Sequence, residues 1–239
     1  MTLPWLDTHS PFPPLESALH SPNGLLAAGG DLSQERLLAA YRQGIFPWYS
    51  AGEPILWWSP DPRMVLFPDE LRITRSLAKT LRNKPYDIRF DTAVTTVMQH
   101  CAAPREPGGG SWIGPEILDG YGRLHRSGHA HSVETWIDGE LCGGLYGVAI
   151  GRMFYGESMF ARRTDASKIA FVHLVAALRQ WEFGLIDCQM RTDHLASLGG
   201  RTIARQQFAA TLKALVAAPA PTDHWQMPAG WQYNQAHPR

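Results

Sequence analysis

The longest run of apolar patterning lies between Gly143 and Gln189. Two apolar strands come first and turn at Gly151 and Arg152. A helix is predicted from about Asp165 to Arg179, with Gly184 ending it. A third strand follows over Leu185 to Met190. Polar side chains interrupt these strands at Glu157, Asp187 and Gln189. Strand side chains alternate between faces, so Asp187 and Gln189 should share one face and Cys188 the other. By the same rule Glu157 should share a face with Tyr155 and Met159. Burying a carboxylate without a partner is costly. Acids in such strands therefore point either to a satisfied internal network or to a site, and pattern alone leaves both open.

Upstream, residues Met1 to Pro22 are proline-rich. Asp31 or Ser33 can cap a helix carrying Leu37, Leu38 and Tyr41 on one side, and Gly44 is placed to end it. The prolines of GIFPWYS and LWWSPDPR forbid long helices there. A boundary near Pro60 to Pro62 divides a small aromatic module, residues 1–62, from an α/β body, residues 63–239. In the body a strand is predicted over Arg63 to Pro68 and a helix over Leu71 to Asn83. Its Arg72, Arg75, Lys79 and Arg82 would share a face, either a solvated surface or a rail for phosphates. Tyr86 to Phe90 reads as a strand, and Asp91 can cap a helix running through Cys101. A glycine-rich loop presents Trp112, and Pro115 opens a helix bearing Ile117, Leu118, Tyr121, Leu124 and His125. Asp138-Gly139 joins the strands Ser132 to Ile137 and Leu141 to Ala149 as a hairpin. Thr192 or Asp193 starts a short helix closed by Gly199-Gly200, and a last helix spans about Ile203 to Val216. Antiparallel strands, then a helix, a strand and more helices make a mixed sheet with flanking helices.

The bulk numbers narrow this picture only a little. The chain has 239 residues, 44% hydrophobic and 18% charged, as in ordinary globular proteins. Its net charge of +0 removes any whole-molecule signature for nucleic acid, although a local patch stays possible. Three dispersed cysteines form no disulfide framework and no zinc ribbon, which suits the cytoplasm. The first residues lack the features of a signal peptide, and no apolar run reaches the roughly 18 residues a membrane span needs. No metal or other cofactor is expected.

Several candidate chemistries weaken on inspection. GESMF lacks the second glycine of a nucleophile elbow and continues as strand. Cys188 alternates away from Asp187, and strand cysteines are usually core. His125, His129 and His131 lack an acidic or cysteine partner at ligand spacing and read as loop or surface residues. Gly108-Gly109-Gly110 lacks the lysine of a P-loop. The aromatic set is harder to dismiss. Trp57 and Trp58 read as core. Trp48 and Trp112 sit among glycines and prolines, where loops present side chains. Aromatic rings beside a basic helix face suit a single-stranded nucleic-acid end, whose bases stack and whose phosphates meet Arg and Lys.

From Asn23 to Arg205 the motifs NGLLAAGGDLS, GIFPWYS, LWWSPDPR, GSWI, GHAHSVE, GGLYGV, YGESMF, DASK, LIDCQ and DHLASLGG resemble, in order, those of the leucyl/phenylalanyl-tRNA–protein transferases. The resemblance implies a GNAT-like body behind a small N-terminal domain. It implies transfer of Leu or Phe, and more weakly Met, from aminoacyl-tRNA to the N-terminal Arg or Lys of a protein, marking it for degradation. It assigns Phe46, Trp48 and Trp112 to the terminal adenosine. Leu145, Phe154, Leu174 and Ile186 would line the pocket for the aminoacyl side chain, and Glu157 would meet its amino group. Asp187 and Gln189 would lie beside the reacting ester and the incoming amine, as one polar unit in which Asp187 orients the Gln189 amide. A cytoplasmic monomer is expected. The chain departs from the family's pattern at Leu145, where methionine is common, and at Tyr155, where a smaller residue is common. The glycine-rich pyrophosphate loop of acetyl-CoA users is absent. Rival readings are a GNAT-like acyltransferase with a small thioester donor, a non-catalytic binder of charged tRNA ends, and a hydrolase of aminoacyl-tRNA.

Overall fold

A computed structural model describes residues 3–103, 111–220 and 225–226. Most of the glycine-rich loop expected before Trp112, residues 104–110, and most of the tail after Ala220 lie outside the described residues. The proline-rich start holds more strand than its sequence suggests. Strands β1 (Trp5–Leu6), β2 (Leu25–Gly29), β3 (Phe46–Pro47) and β4 (Leu56–Trp58) form a small sheet in the order β1-β2-β4-β3. Each is too short to show alternation, which is why the pattern missed them. Helix α1 (Gln34–Arg42) crosses this sheet's chain between β2 and β3. Ser33 caps it by accepting from the Arg36 N–H, and Gly44 leaves it at φ +76°.

The larger sheet has the order β11-β5-β10-β9-β8-β7-β6. Its strands are β5 (Arg63–Leu66), β6 (Asp87–Phe90), β7 (Ala130–Ile137), β8 (Glu140–Ile150), β9 (Met153–Ala161), β10 (Leu185–Gln189) and β11 (Arg201–Ile203). β9 and β10 pair in parallel, and the other neighbours run antiparallel. Helices α2 (Arg75–Asn83), α3 (Val94–Ala102), α4 (Pro115–Arg126), α5 (Ala166–Gln180), α6 (Asp193–Ser197) and α7 (Arg205–Ala217) complete the chain. The expected mixed α/β architecture, with flanking helices behind a small N-terminal unit, is what the chain adopts.

Two apolar clusters sandwich the sheet. On one face Leu77 and Leu81 of α2 and Ile169, Leu174 and Leu178 of α5 pack with Val133, Leu145, Phe154 and Ile186. On the other, α1, α3, α4, α7 and the small sheet pack with Tyr146, Val148 and Tyr155. That second cluster joins the N-terminal sheet to the body.

Several local expectations are corrected. The basic helix starts at Arg75, because Thr74 caps it through the Leu77 N–H. Arg72 precedes the helix, and its N–H is tied to the Leu198 carbonyl, so only Arg75, Lys79 and Arg82 remain on one helical face. Asp91 does not cap α3. It takes φ +56° and accepts from the Ser132 N–H and the His131 ring. Glu134 accepts the N–H groups of Thr92 and Ala93 instead. Gly184 is not the terminator of α5, since Glu182 makes the left-handed turn at φ +57°. A Cβ at Gly184 would fall 2.5 Å from Leu215, so close packing against α7 is what requires glycine there.

Candidate active site

The cavity opens where β9 and β10 stop pairing. Their register ends at Asp187 opposite Tyr155. Just beyond, β9 bulges opposite Tyr146–Gly147 and β10 slips register between Asp187 and Gln189. Bulges re-aim side chains and terminate pairing. The bulge in β9 splits the face expected to hold Tyr155, Glu157 and Met159. Tyr155 and Glu157 turn toward α1 and α4, whereas Met159 packs with the α5 side. In β10, Gln189 adopts φ +61°, a strained conformation for a residue other than glycine.

A cavity of about 840 Å³ lies in this gap. Phe46, Trp48 and Trp112 form an aromatic part of its wall. Leu145, Phe154, Phe171, Leu174 and Ile186 form an apolar part contributed by the α5-side cluster. Glu157 and Gln189 also line it. The structure therefore brings together nine residues that the sequence reading placed at one site.

Glu157 is held by three donors. The Tyr41 hydroxyl of α1 donates to Oε1 at 2.8 Å, and the Tyr121 hydroxyl of α4 donates to Oε2 at 3.0 Å. The Gln189 amide Nε2 donates to Oε1 at 3.0 Å. The two tyrosine hydroxyls also touch each other. Burial pushes the Glu157 carboxyl up to about 7, against the opposing pull of the tyrosine hydrogen bonds. Burial also raises both phenols well above their ordinary range, so they stay protonated and act as donors.

Asp187 sits differently. It is fully buried and does not line the cavity. Arg63 of β5 grips it bidentately, with Nε to Oδ1 at 2.8 Å and Nη2 to Oδ2 at 2.6 Å. The guanidinium is sandwiched by Phe46 at 4.8 Å and Phe208 at 4.7 Å. The remaining link runs from the Gln189 backbone N–H to Oδ1 at 2.8 Å. The expected contact of Asp187 with the Gln189 amide is thus corrected. Asp187 fixes the strained backbone of Gln189, and Glu157 fixes its side chain.

Tyr41, Tyr121 and Arg63 were missed as site residues. Tyr41 and Tyr121 read as apolar-stripe positions, yet a buried phenol needs a hydroxyl partner, and that was the available signal. Arg63 lies 124 residues from Asp187, and no local pattern links them. The histidines are also corrected. His131 is buried on β7 rather than exposed in a loop. Cys188 lines the cavity, but burial pushes its thiol far above the ordinary range, which disfavours a thiolate nucleophile. Arg75, Lys79 and Arg82 lie away from the cavity wall. Among the described residues no cluster of His, Cys, Asp and Glu could hold a metal ion, and no helix is long and apolar enough to cross a membrane.

The family model for leucyl/phenylalanyl-tRNA protein transferase matches residues 65–213, and the model for the N-terminal domain of that family matches residues 30–61. The chain belongs to the leucyl/phenylalanyl-tRNA–protein transferase family. A relative of that name from Chromobacterium violaceum is 64% identical over 93% of this chain and 96% of its own length. Another, from Nitrosomonas europaea, is 65% identical over 92% of this chain and 93% of its own length. Among solved structures, a GCN5-related N-acetyltransferase from Kribbella flavida shares 14% identity over 70% of this chain and 60% of that one, at a TM-score of 0.35. In this member of the transferase family, the matched region carries every strand of the cavity wall except β3, which lies in the matched N-terminal part.

Proposed function

We propose that this chain transfers Leu or Phe, and more weakly Met, from aminoacyl-tRNA to the N-terminal Arg or Lys of an acceptor protein. The supporting observation is one cavity that joins an aromatic wall, an apolar wall and the Glu157–Gln189 pair. The membership in the transferase family supports the same reading.

In this reading the terminal adenosine stacks among Phe46, Trp48 and Trp112. The aminoacyl side chain enters between Leu145, Phe154, Leu174 and Ile186. Its ammonium group meets Glu157. That carboxylate has room, because among the described residues Oε2 accepts from Tyr121 alone and keeps a second lone pair. The ester is already activated, so neither metal nor covalent intermediate is required. The acceptor α-amino group, with an unperturbed pKa of about 7.7–8.0, attacks the ester carbonyl carbon. A peptide bond forms, the ester C–O bond breaks, and the ribose hydroxyl leaves with a proton. Holding the two reactants together supplies much of the acceleration. Glu157 occupies the Gln189 amide nitrogen, which leaves the amide oxygen to accept from the attacking amine. An amide is too weak a base to carry the proton far, so water or the ribose hydroxyl completes that step. Asp187 acts one step back, as the anchor of the Gln189 backbone.

An unbranched apolar slot separates substrates by only about 1–3 kcal/mol per methylene, so some leakage to Met follows. The departure at Tyr155 bears on the other side of the sheet, where its hydroxyl donates to the Tyr41 carbonyl at 2.8 Å. Arg75, Lys79 and Arg82, joined by the neighbouring Arg72, would meet tRNA phosphates. Residues 1–62 would supply Phe46 and Trp48 of the adenosine platform, and residues 63–239 would supply Trp112 and the catalytic body of a cytoplasmic monomer.

The deciding experiment incubates the protein with radiolabelled Leu-tRNA and peptides starting with Arg, Lys, Asp or Gly. Labelled Arg and Lys peptides are expected. Equal labelling of all four would end the acceptor claim, and release of free leucine alone would favour a hydrolase. For the basic segment, the Arg75, Lys79 and Arg82 triple alanine variant should flatten the salt slope of tRNA binding by roughly one unit or less per residue. An unchanged slope would make it a solvated face.

A further inference from the structure

One aromatic cluster lies next to the cavity but outside its wall. Trp225 comes from the C-terminal tail, which no sequence pattern singled out. Its indole lies flat on the His131 ring of β7, with centroids 3.9 Å apart and planes at 10°. It meets Trp181 and Phe183, just after α5, edge-on at 5.0 and 6.0 Å. It also lies 5.9 Å from the Phe154 ring, tilted by 36°. His131 is a rigid seat for this stack. It is 5% exposed, and its ring nitrogens sit 2.7 Å from an Asp91 carboxylate oxygen and 3.1 Å from the Gly128 carbonyl.

Phe154 has the cavity on one side and Trp225 on another. Beneath it lies Gly147, where a Cβ would come within 2.5 Å of the Phe154 ring. The ring therefore rests on bare backbone and is held laterally by neighbours. Protein interiors are close-packed, so removing one neighbour leaves a void into which the others relax in part.

We propose that Trp225 is a positioning residue for donor specificity, holding Phe154 against the cavity and so setting the depth of the apolar slot. This inference rests on the reading of that slot as the seat of the aminoacyl side chain. Without the indole, Phe154 recedes toward His131 and the slot deepens. A longer, flatter side chain then gains more than a short branched one.

The test uses the full chain as wild type, Trp225→Ala and Trp225→Leu. For each, kcat/KM is measured with Leu-tRNA, Phe-tRNA and Met-tRNA against one Arg-initiated peptide, alongside a thermal melt. The Phe-to-Leu ratio should rise about fivefold or more in Trp225→Ala and about threefold in Trp225→Leu, somewhat less than the roughly tenfold or more that a whole methylene of pocket space commands. A merely structural tryptophan would lower the melting temperature and scale all three donors alike. That result in either folded variant overturns the inference; if Trp225→Ala does not fold, Trp225→Leu decides it. A wild-type chain that transfers from none of the three donors removes the slot reading, and the inference falls with it. A wild type that transfers while the ratio stays fixed overturns the inference alone.

Discussion

Two carboxylates on neighbouring strands have opposite surroundings. Asp187 is fully buried against an arginine and faces no cavity. Glu157 is half-buried, faces the cavity, and is bounded only by neutral donors. A buried ion pair is expensive to break from one side, because the survivor stays charged in a dry site. A carboxyl among phenols and an amide keeps its proton more easily and can still ionise near neutral pH. The first arrangement holds a backbone in place, and the second can respond to a substrate ammonium. Gln189 bridges them, its backbone on Asp187 and its amide on Glu157.

The comparison breaks first at the ion pair. Asp187→Ala should cost about 3–5 kcal/mol of folding stability, because Arg63 is left uncompensated. For a chain of this size that lowers Tm by about 6–20 °C. A thermal melt within a few degrees of wild type would show that the pair anchors nothing.

Next come the cavity-facing groups. Gln189→Ala and Glu157→Gln should each lower kcat by about one to three powers of ten, in line with loss of one oriented polar contact. The Gln189→Ala melt should stay close to wild type. Asp187→Asn should reduce kcat as well, through Gln189, and the double variant with Gln189→Ala should lose much less than the product of the two. Fully multiplicative losses would separate the two residues functionally.

Two groups give the pH dependence opposite contributions: Glu157, and His173, which burial lowers from 6.5 to about 4, so that its share of stability rises with pH over that range. The Glu157 carboxyl is raised from an ordinary 4.5 to about 7 in the folded chain. Below pH 4.5 it is protonated in both states and contributes nothing. Between 4.5 and about 7 the unfolded chain loses this proton while the folded chain keeps it, so the Glu157 contribution to stability falls as pH rises. Above about 7 the penalty is constant. In denaturation across this window Glu157→Gln should remove the downward component, so that stability rises more steeply with pH in the variant than in wild type. Transfer should rise through pH 7 in wild type more steeply than in Glu157→Gln, since only the carboxylate attracts the donor ammonium. Identical profiles would place the titration elsewhere.

The smallest effect is expected at Cys188, between Asp187 and Gln189. Cys188→Ala should leave kcat within about twofold, and stability within about 1 kcal/mol, because a raised thiol packs rather than reacts. A large loss of kcat at unchanged Tm would reinstate the cysteine as a chemical group.

Much of the site was legible in the chain itself. Short-range alternation and the ordered motifs were enough to gather Glu157, Gln189, the four slot residues and the three aromatic residues. The order of the longer strands and helices in the body was legible for the same reason, since periodicity over long segments is a local property, whereas the three-residue edge strand β11, where the last helix was expected to begin, was too short to show one. What alternation could not supply was the exception to itself. Two bulges, at Glu157 and after Asp187, separated Met159 from Glu157 and drew Asp187 away from the cavity. A bulge is one extra residue, and its cost or gain depends on what the partner strand offers. The arginine that turns Asp187 into an anchor, the phenols that surround Glu157 and the tail tryptophan behind Phe154 come from far along the chain. Sequence determined which chemistry was present and on which elements. Only the packing of those elements decided which acid faces the cavity, because burial and partnership are properties of the space between segments.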